Sequence, residues 1–190
     1  MVPSRNSWSN RIDISIKAHS LNCIGTWDEL EFYLTKDMIV ADTALSPDLI
    51  QQLCRFVILL KDLGEVFQVQ NSAIHVYYDP VGETIAFNRD NSLFFNLLFY
   101  VGLHDNGSEQ PTMTAFLYWF MTFCHELAHN LVKHHSSQHE VRQISSAIIE
   151  YWFCYWLFRS CSFLQYYLSS YAETYMPILI GKMKQRGLMV

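Results

Sequence analysis

Two histidines and a glutamate stand together in Cys124-His125-Glu126-Leu127-Ala128-His129, in the order His-Glu-x-x-His. On an α-helix, positions i and i+4 share one face with Cβ atoms about 6 Å apart, so His125 and His129 can direct two imidazole nitrogens at one metal ion. Zinc takes such nitrogens at roughly 2.0–2.1 Å. Glu126, one residue along, projects beside the metal without occupying it, where it can take a proton from a bound water. Zinc lowers the pKa of that water to about 7, and the carboxylate completes its activation as a nucleophile. The pattern predicts a zinc-dependent hydrolase with His125 and His129 as ligands and Glu126 as the catalytic base. A blander reading stands beside it: a histidine-bearing helix end next to a solvated polar loop.

A zinc site needs a third protein donor. His135 follows His129 by six residues, with His134 and His139 close by. On a continuous helix His135 would lie about 240° around from His129, so it coordinates only if the chain turns sharply after about Val132. The sequence there is Leu131-Val132-Lys133-His134, with no glycine to make the turn. His135 is the expected third metal ligand, with Glu173, His139 and Glu150 as the alternatives. Two other histidines read differently. His75 alternates with Tyr77 on a predicted strand and is expected to be a half-buried neighbour, and His104 opens a polar loop and is expected to face solvent.

These side chains need a rigid helix behind them. Phe116-Leu-Tyr-Trp-Phe-Met-Thr-Phe-Cys124 has the composition of a buried helix, and Thr112 or Thr114 can cap a helix running through His129. Upstream, Ser46 as N-cap and Pro47 at the first helical position start another helix. Leu49, Leu53, Phe56, Val57 and Leu60 recur along it at helical spacing, and Gly64 is its expected stop. Residues 74–78 and 84–87 read as two strands of a hairpin around 79–83. The apolar run 93–100 is a strand or a buried helix, and 104–112 is an exposed loop. This order predicts an α+β domain over residues 46–190, a small sheet with a buried active-site helix and flanking helices, after a loosely structured lead-in at 1–45.

Composition narrows the function classes. With 51% apolar and 15% aromatic residues in 190, the chain can fill the core of one domain. A net charge of -5 leaves no basic footprint for nucleic acid. Five scattered cysteines with no CxxC pair, and an N-terminus without the apolar core of a signal peptide, point to reduced thiols and an intracellular, cytoplasmic location. The most membrane-like stretch, Tyr151–Phe158, is eight residues long between Glu150 and Arg159, against the roughly 20 that a span needs. A window over 148–171 would carry both charges inward at roughly 2.5–3.5 kcal/mol each, which weighs against a membrane-associated protein built on it.

The segment His125-Glu-Leu-Ala-His-Asn-Leu-Val-Lys-His-His135 resembles the active-site helix of zincin metallopeptidases, with third-histidine spacing similar to that of SprT-like and metzincin proteases. A second resemblance covers roughly residues 45–140. Ile74-His-Val-Tyr-Tyr-Asp79, Thr84-Ile-Ala-Phe-Asn88, Leu93-Phe-Phe-Asn96 and Cys124-His-Glu-Leu-Ala-His-Asn130 together resemble the C-terminal region of large fungal sacsin-like proteins. Those proteins carry a histidine-kinase-type ATPase fold at the other end, and no glycine-rich nucleotide loop occurs here. The resemblances imply a zincin-like fold, zinc as cofactor, a peptide or protein substrate, and a domain of a larger protein linked to quality control. The competing implication is a non-catalytic zincin-like interaction module.

The sacsin-like pattern breaks at residues 141–165. After His139-Glu140 it leads one to expect Tyr166-Tyr-Leu-Ser-Ser-Tyr-Ala-Glu173, but 25 residues rich in Trp, Phe, Cys and Ile intervene. Valine codons begin with GT and a glutamine codon can be CAG, so Val141 to Gln165 has the form of an intron translated in frame. In that case Glu140 abuts Tyr166. Glu173, 44 residues after His129 in this chain, then falls 19 after it, a spacing that suits a glutamate ligand from a following helix. The other reading is a true hydrophobic helix packed on the domain. Genomic sequence at the two edges separates them.

Overall fold

The structure is a computed structural model that describes residues 21–40, 45–130 and 162–189. Strands β1 (Leu21–Trp27) and β2 (Leu30–Thr35) lead into a short helix α1 (Lys36–Val40) and the long helix α2 (Pro47–Phe67). A single 3-10 turn (Asn71–Ala73) precedes β3 (Ile74–Tyr78), and β4 (Ala86–Arg89) and β5 (Ser92–Asn96) follow. The described part closes with α3 (Leu97–Leu103), α4 (Met113–Ala128) and α5 (Ser162–Gln185). The fold is α+β, as its residue pattern predicts.

The five strands form one mixed sheet in the order β1-β2-β3-β5-β4. β2, β3 and β5 run parallel through the middle, and β1 and β4 are antiparallel edges. Parallel neighbours require a crossover, and α2 supplies the one between β2 and β3. Side chains alternate across the sheet with the strand period of two. Leu30, Phe32, Leu34, Ile74, Val76, Leu93 and Phe95 are buried on one face, against the helices. Glu31, His75, Phe94 and Phe87 form a row in register on the other.

Aromatic rings bind the helices to the buried face. Phe95 stacks on Phe123 of α4 at 4.5 Å, and Phe67 of α2 stacks on both Phe120 and Phe123 at 4.9 and 5.4 Å. Phe56 lies 4.7 Å from Trp119 and 4.6 Å from Tyr100. Helix α5 buries Leu168, Leu179 and Met183. Its last turns are fixed to α2 by Lys182, paired with Asp62 and Glu65, and by Arg186, 2.7 Å from Asp62. Asp62 is buried, and two cations compensate the cost of burying its charge.

The structure departs from the sequence expectations at several points. Residues 21–40, assigned to the lead-in, are two strands and a helix, because Leu30, Phe32 and Leu34 complete the buried face. β3 and β4 are not hairpin partners: both pair with β5, between them. The tight hairpins are β1–β2 and β4–β5. Their turn pairs Asp28-Glu29 and Asp90-Asn91 have positive φ at both residues, the backbone that matches the twist of two-residue hairpins. Gly64 does not end α2, which continues to Phe67. It is a glycine because a Cβ there would come within 2.7 Å of Ile74. The 93–100 run is both strand and helix, with Asn96 as the switch: its side chain accepts from the Leu98 amide at the start of α3. Residues 141–161 lie outside the described residues, and 162–165 begin α5. Among the described residues no helix is long and apolar enough to cross a membrane.

His104 is buried rather than exposed, capping α3 with its ring 4.8 Å from Tyr118. Burial lowers its pKa to about 4. The unfolded chain therefore binds a proton at His104 below about pH 6.5 that the folded chain refuses, and stability falls by about 1.4 kcal/mol per pH unit between there and pH 4. Buried His75 is shifted in the same direction. Urea melts from pH 7 to 4 are expected to show a stability loss that is roughly 2–3 kcal/mol smaller in His104→Leu.

Candidate metal centre

The site is built on the last turn of α4. Thr112, rather than Thr114, caps this helix, its hydroxyl accepting from the Ala115 amide at 3.1 Å. Ala115, Phe116, Trp119, Phe120 and Phe123 bury one side of the helix completely. Cys124 and Ala128 are equally buried, and burial pushes the Cys124 thiol far up. It is a packing residue, since only a thiolate ligates or attacks.

His125 and His129 remain half-exposed. Their Nε2 atoms lie 3.1 Å apart, with ring centroids at 4.7 Å and planes at 79°. Two nitrogens at that separation, each about 2.05 Å from a common ion, subtend roughly 100°, close to a tetrahedral angle. The same distance accommodates an N–H···N hydrogen bond when one Nε2 carries a proton. A metal would take that proton's place, so binding releases it. Among the described residues, His125, Glu126 and His129 form the group whose ligand-type atoms all lie within 4.8 Å of one another. Glu126 is only 5% exposed, and burial raises its carboxyl pKa to about 8.

Neighbouring strands frame this turn. Tyr77 of β3 is buried, and its hydroxyl donates to the Thr84 carbonyl at 2.6 Å. Burial keeps that phenol protonated, and Asp79 and Glu126 push in the same direction. Fully buried Asn96 donates to the Thr84 carbonyl at 3.1 Å and accepts from the Asp79 amide at 3.3 Å, tying down the 79–84 loop. From edge strand β4, Asn88 Nδ2 donates to the Glu126 carbonyl at 2.7 Å and to Asn130 Oδ1 at 2.8 Å.

Of the expected site residues, His125, Glu126 and His129 come together. His135, His139 and Glu150 lie outside the described residues. Glu173 is exposed on α5 and does not join the cluster. His75, expected to be half-buried, is 6% exposed and sits 3.3 Å from the Glu31 carboxylate. It lines a cleft of about 300 Å³ with Glu31, Tyr33, Arg89 and Phe94, which does not include the histidine pair. Asn88 and Asn96 were not singled out from the sequence. Their signal was present: asparagine is depleted in strands, so two within apolar strand runs mark side chains with specific partners.

No protein-family model, no curated protein and no solved structure matches this chain.

Proposed function

We propose that the chain is a metal-dependent hydrolase, a zincin-like peptidase in which His125 and His129 hold zinc and Glu126 is the base. The observation that carries this reading is the convergence of the two Nε2 atoms at 3.1 Å beside a buried carboxyl on the same helical turn. His135 is the proposed third donor. Helical hydrogen bonding ends at Ala128, and the Asn130 amide turns back to Leu127 at 3.0 Å. Helix α4 thus ends before Val132, as a ligand at His135 requires, which supports this choice. The substrate class, a peptide or protein, and a setting in a sacsin-like protein rest on the sequence resemblances.

Bound zinc supplies a Lewis acid that polarises a carbonyl and acidifies water. The protein's part is to hold His125 and His129 on one rigid turn and to keep Glu126 in a site screened from bulk solvent. Burial alone disfavours the Glu126 carboxylate below about pH 8, and a neighbouring dication would favour it. In that ionised form Glu126 takes a proton from the attacking water and returns it to the leaving amine.

Glu126→Gln tests the role directly. It is expected to keep the metal and to lower peptide hydrolysis, measured on a quenched-fluorescent peptide library, by roughly 10²–10⁴-fold. Loss of the metal in this variant, or unchanged hydrolysis, would contradict the assignment. A wild-type chain that binds zinc and cleaves nothing would instead be the interaction module.

A further inference from the structure

We infer that Asn88 is a positioning residue for the metal centre, a strut from β4 that fixes the last turn of α4 and so the spacing of the two histidine nitrogens. The inference rests on the metal reading above and adds to it a residue on another element, 41 positions before His129. It begins from the carbonyls at a helix C-terminus, which have no partner within the helix. In a continuing α-helix the Glu126 carbonyl would accept from the Asn130 amide. Here that amide bonds to Leu127 instead, at 3.0 Å, leaving the Glu126 oxygen to be satisfied from outside. Asn88 Nδ2 reaches it at 2.7 Å.

The second proton of the same amide group goes to Asn130 Oδ1 at 2.8 Å. A primary amide has two donors in a fixed fork, and here they hold the two ends of the segment 126–130. His129, at the C-cap of α4, lies within that span. The orientation of the amide is dictated by its surroundings. A backbone carbonyl can only accept, so the Asn88 atom facing Glu126 is nitrogen, and the Asn130 atom facing that nitrogen is oxygen. Asn88 is itself well anchored. It pairs with Leu93 on β5, two residues from Phe95, which stacks on Phe123 of α4. The metal helix is thus held to the sheet by ring packing at Phe123 and by the Asn88 amide just past it.

The test uses the full chain with cobalt(II) as probe, because visible absorption reports coordination geometry per bound ion. Asn88→Asp is nearly isosteric but replaces the one nitrogen that carries both donors with an oxygen that faces two acceptors, and Asn130→Ala removes one arm only. Wild type is expected to bind one cobalt with the intense visible band of a four-coordinate site. Asn88→Asp is expected to bind roughly 10–100-fold more weakly, the usual effect of losing an outer-shell partner. Its band should be altered while its far-ultraviolet circular dichroism is retained. Asn130→Ala should shift both in the same direction by less. A residue that merely stabilised the fold would lower the melting temperature and leave the band per bound cobalt unchanged. That result in folded Asn88→Asp overturns the inference, and if Asn88→Asp does not fold, an unchanged band in Asn130→Ala does so. Wild type that binds no cobalt overturns the metal reading together with it.

Discussion

His125→Ala and His129→Ala are each expected to leave the purified chain without stoichiometric zinc. If three protein donors share an apparent binding free energy on the order of 10 kcal/mol, losing one removes about 3 kcal/mol, more than a hundredfold in affinity. The paired Nε2 atoms, 3.1 Å apart, would chelate one ion, so the partner left behind loses its preorganisation as well. Zinc added to either variant should no longer raise the melting temperature, whereas in wild type it should do so by mass action. His135→Ala is expected to behave like the pair, and Glu173→Ala, at an exposed position outside the cluster, to keep its zinc. With His135 as donor, deleting residues 141–165 should leave zinc affinity nearly unchanged. Full zinc content in either His125→Ala or His129→Ala, read by elemental analysis, would contradict the ligand assignment.

Trp119→Ala carries the largest expected effect on stability, roughly 3–5 kcal/mol, a large part of the 5–15 kcal/mol typical of a domain. Trp119 is fully buried where α2, α3, α4 and the sheet meet, 4.7 Å from Phe56, 5.3 Å from Tyr118 and 6.0 Å from Phe95. One feature moderates the cost: its buried indole N–H has no acceptor among the described residues, so truncation also removes an unsatisfied donor. Trp119→Phe, which deletes that donor and keeps a ring, is expected to lose less than about 1.5 kcal/mol. Urea denaturation of the three proteins provides the check, and a loss below about 1 kcal/mol in Trp119→Ala would show that this junction is not the centre of the core. Trp119 stands six residues before His125 on the same helix. The core that fixes its ring therefore also fixes the turn that carries His125 and His129, and zinc at a hundred times its Kd should return about 2.7 kcal/mol to a variant that still folds.

Helices α2 and α4 were legible because their signals are local, whereas the short α1 was read as part of the lead-in. Ser46-Pro47 and Thr112 are caps whose bonds close within three residues, at 3.1 Å in both cases, and the apolar spacing of α2 follows from its one buried side. Strand pairing was not legible, because β3 pairs with β5 across a sequence that includes β4, and no local feature names a partner. The turn pairs Asp28-Glu29 and Asp90-Asn91 held that information, but with neither glycine nor flanking alternation strong enough to stand out. Burial of His104 was missed for a related reason. Its neighbours in sequence form a polar loop, while its neighbours in space are Tyr118 and Trp119. For the candidate metal centre, the i, i+4 histidines and the intervening glutamate were legible from spacing alone. The amide strut from Asn88 was not, since it joins residues about 40 apart through the tertiary fold.

The most direct measurement is zinc K-edge X-ray absorption on the full chain, loaded with one equivalent of zinc and dialysed. One retained zinc per chain is expected, with first-shell nitrogen or oxygen at about 2.0–2.1 Å and the outer-shell scattering of at least two imidazoles. Zinc that dialyses away, or that stays bound without imidazole scattering, would contradict the placement of a metal between His125 and His129.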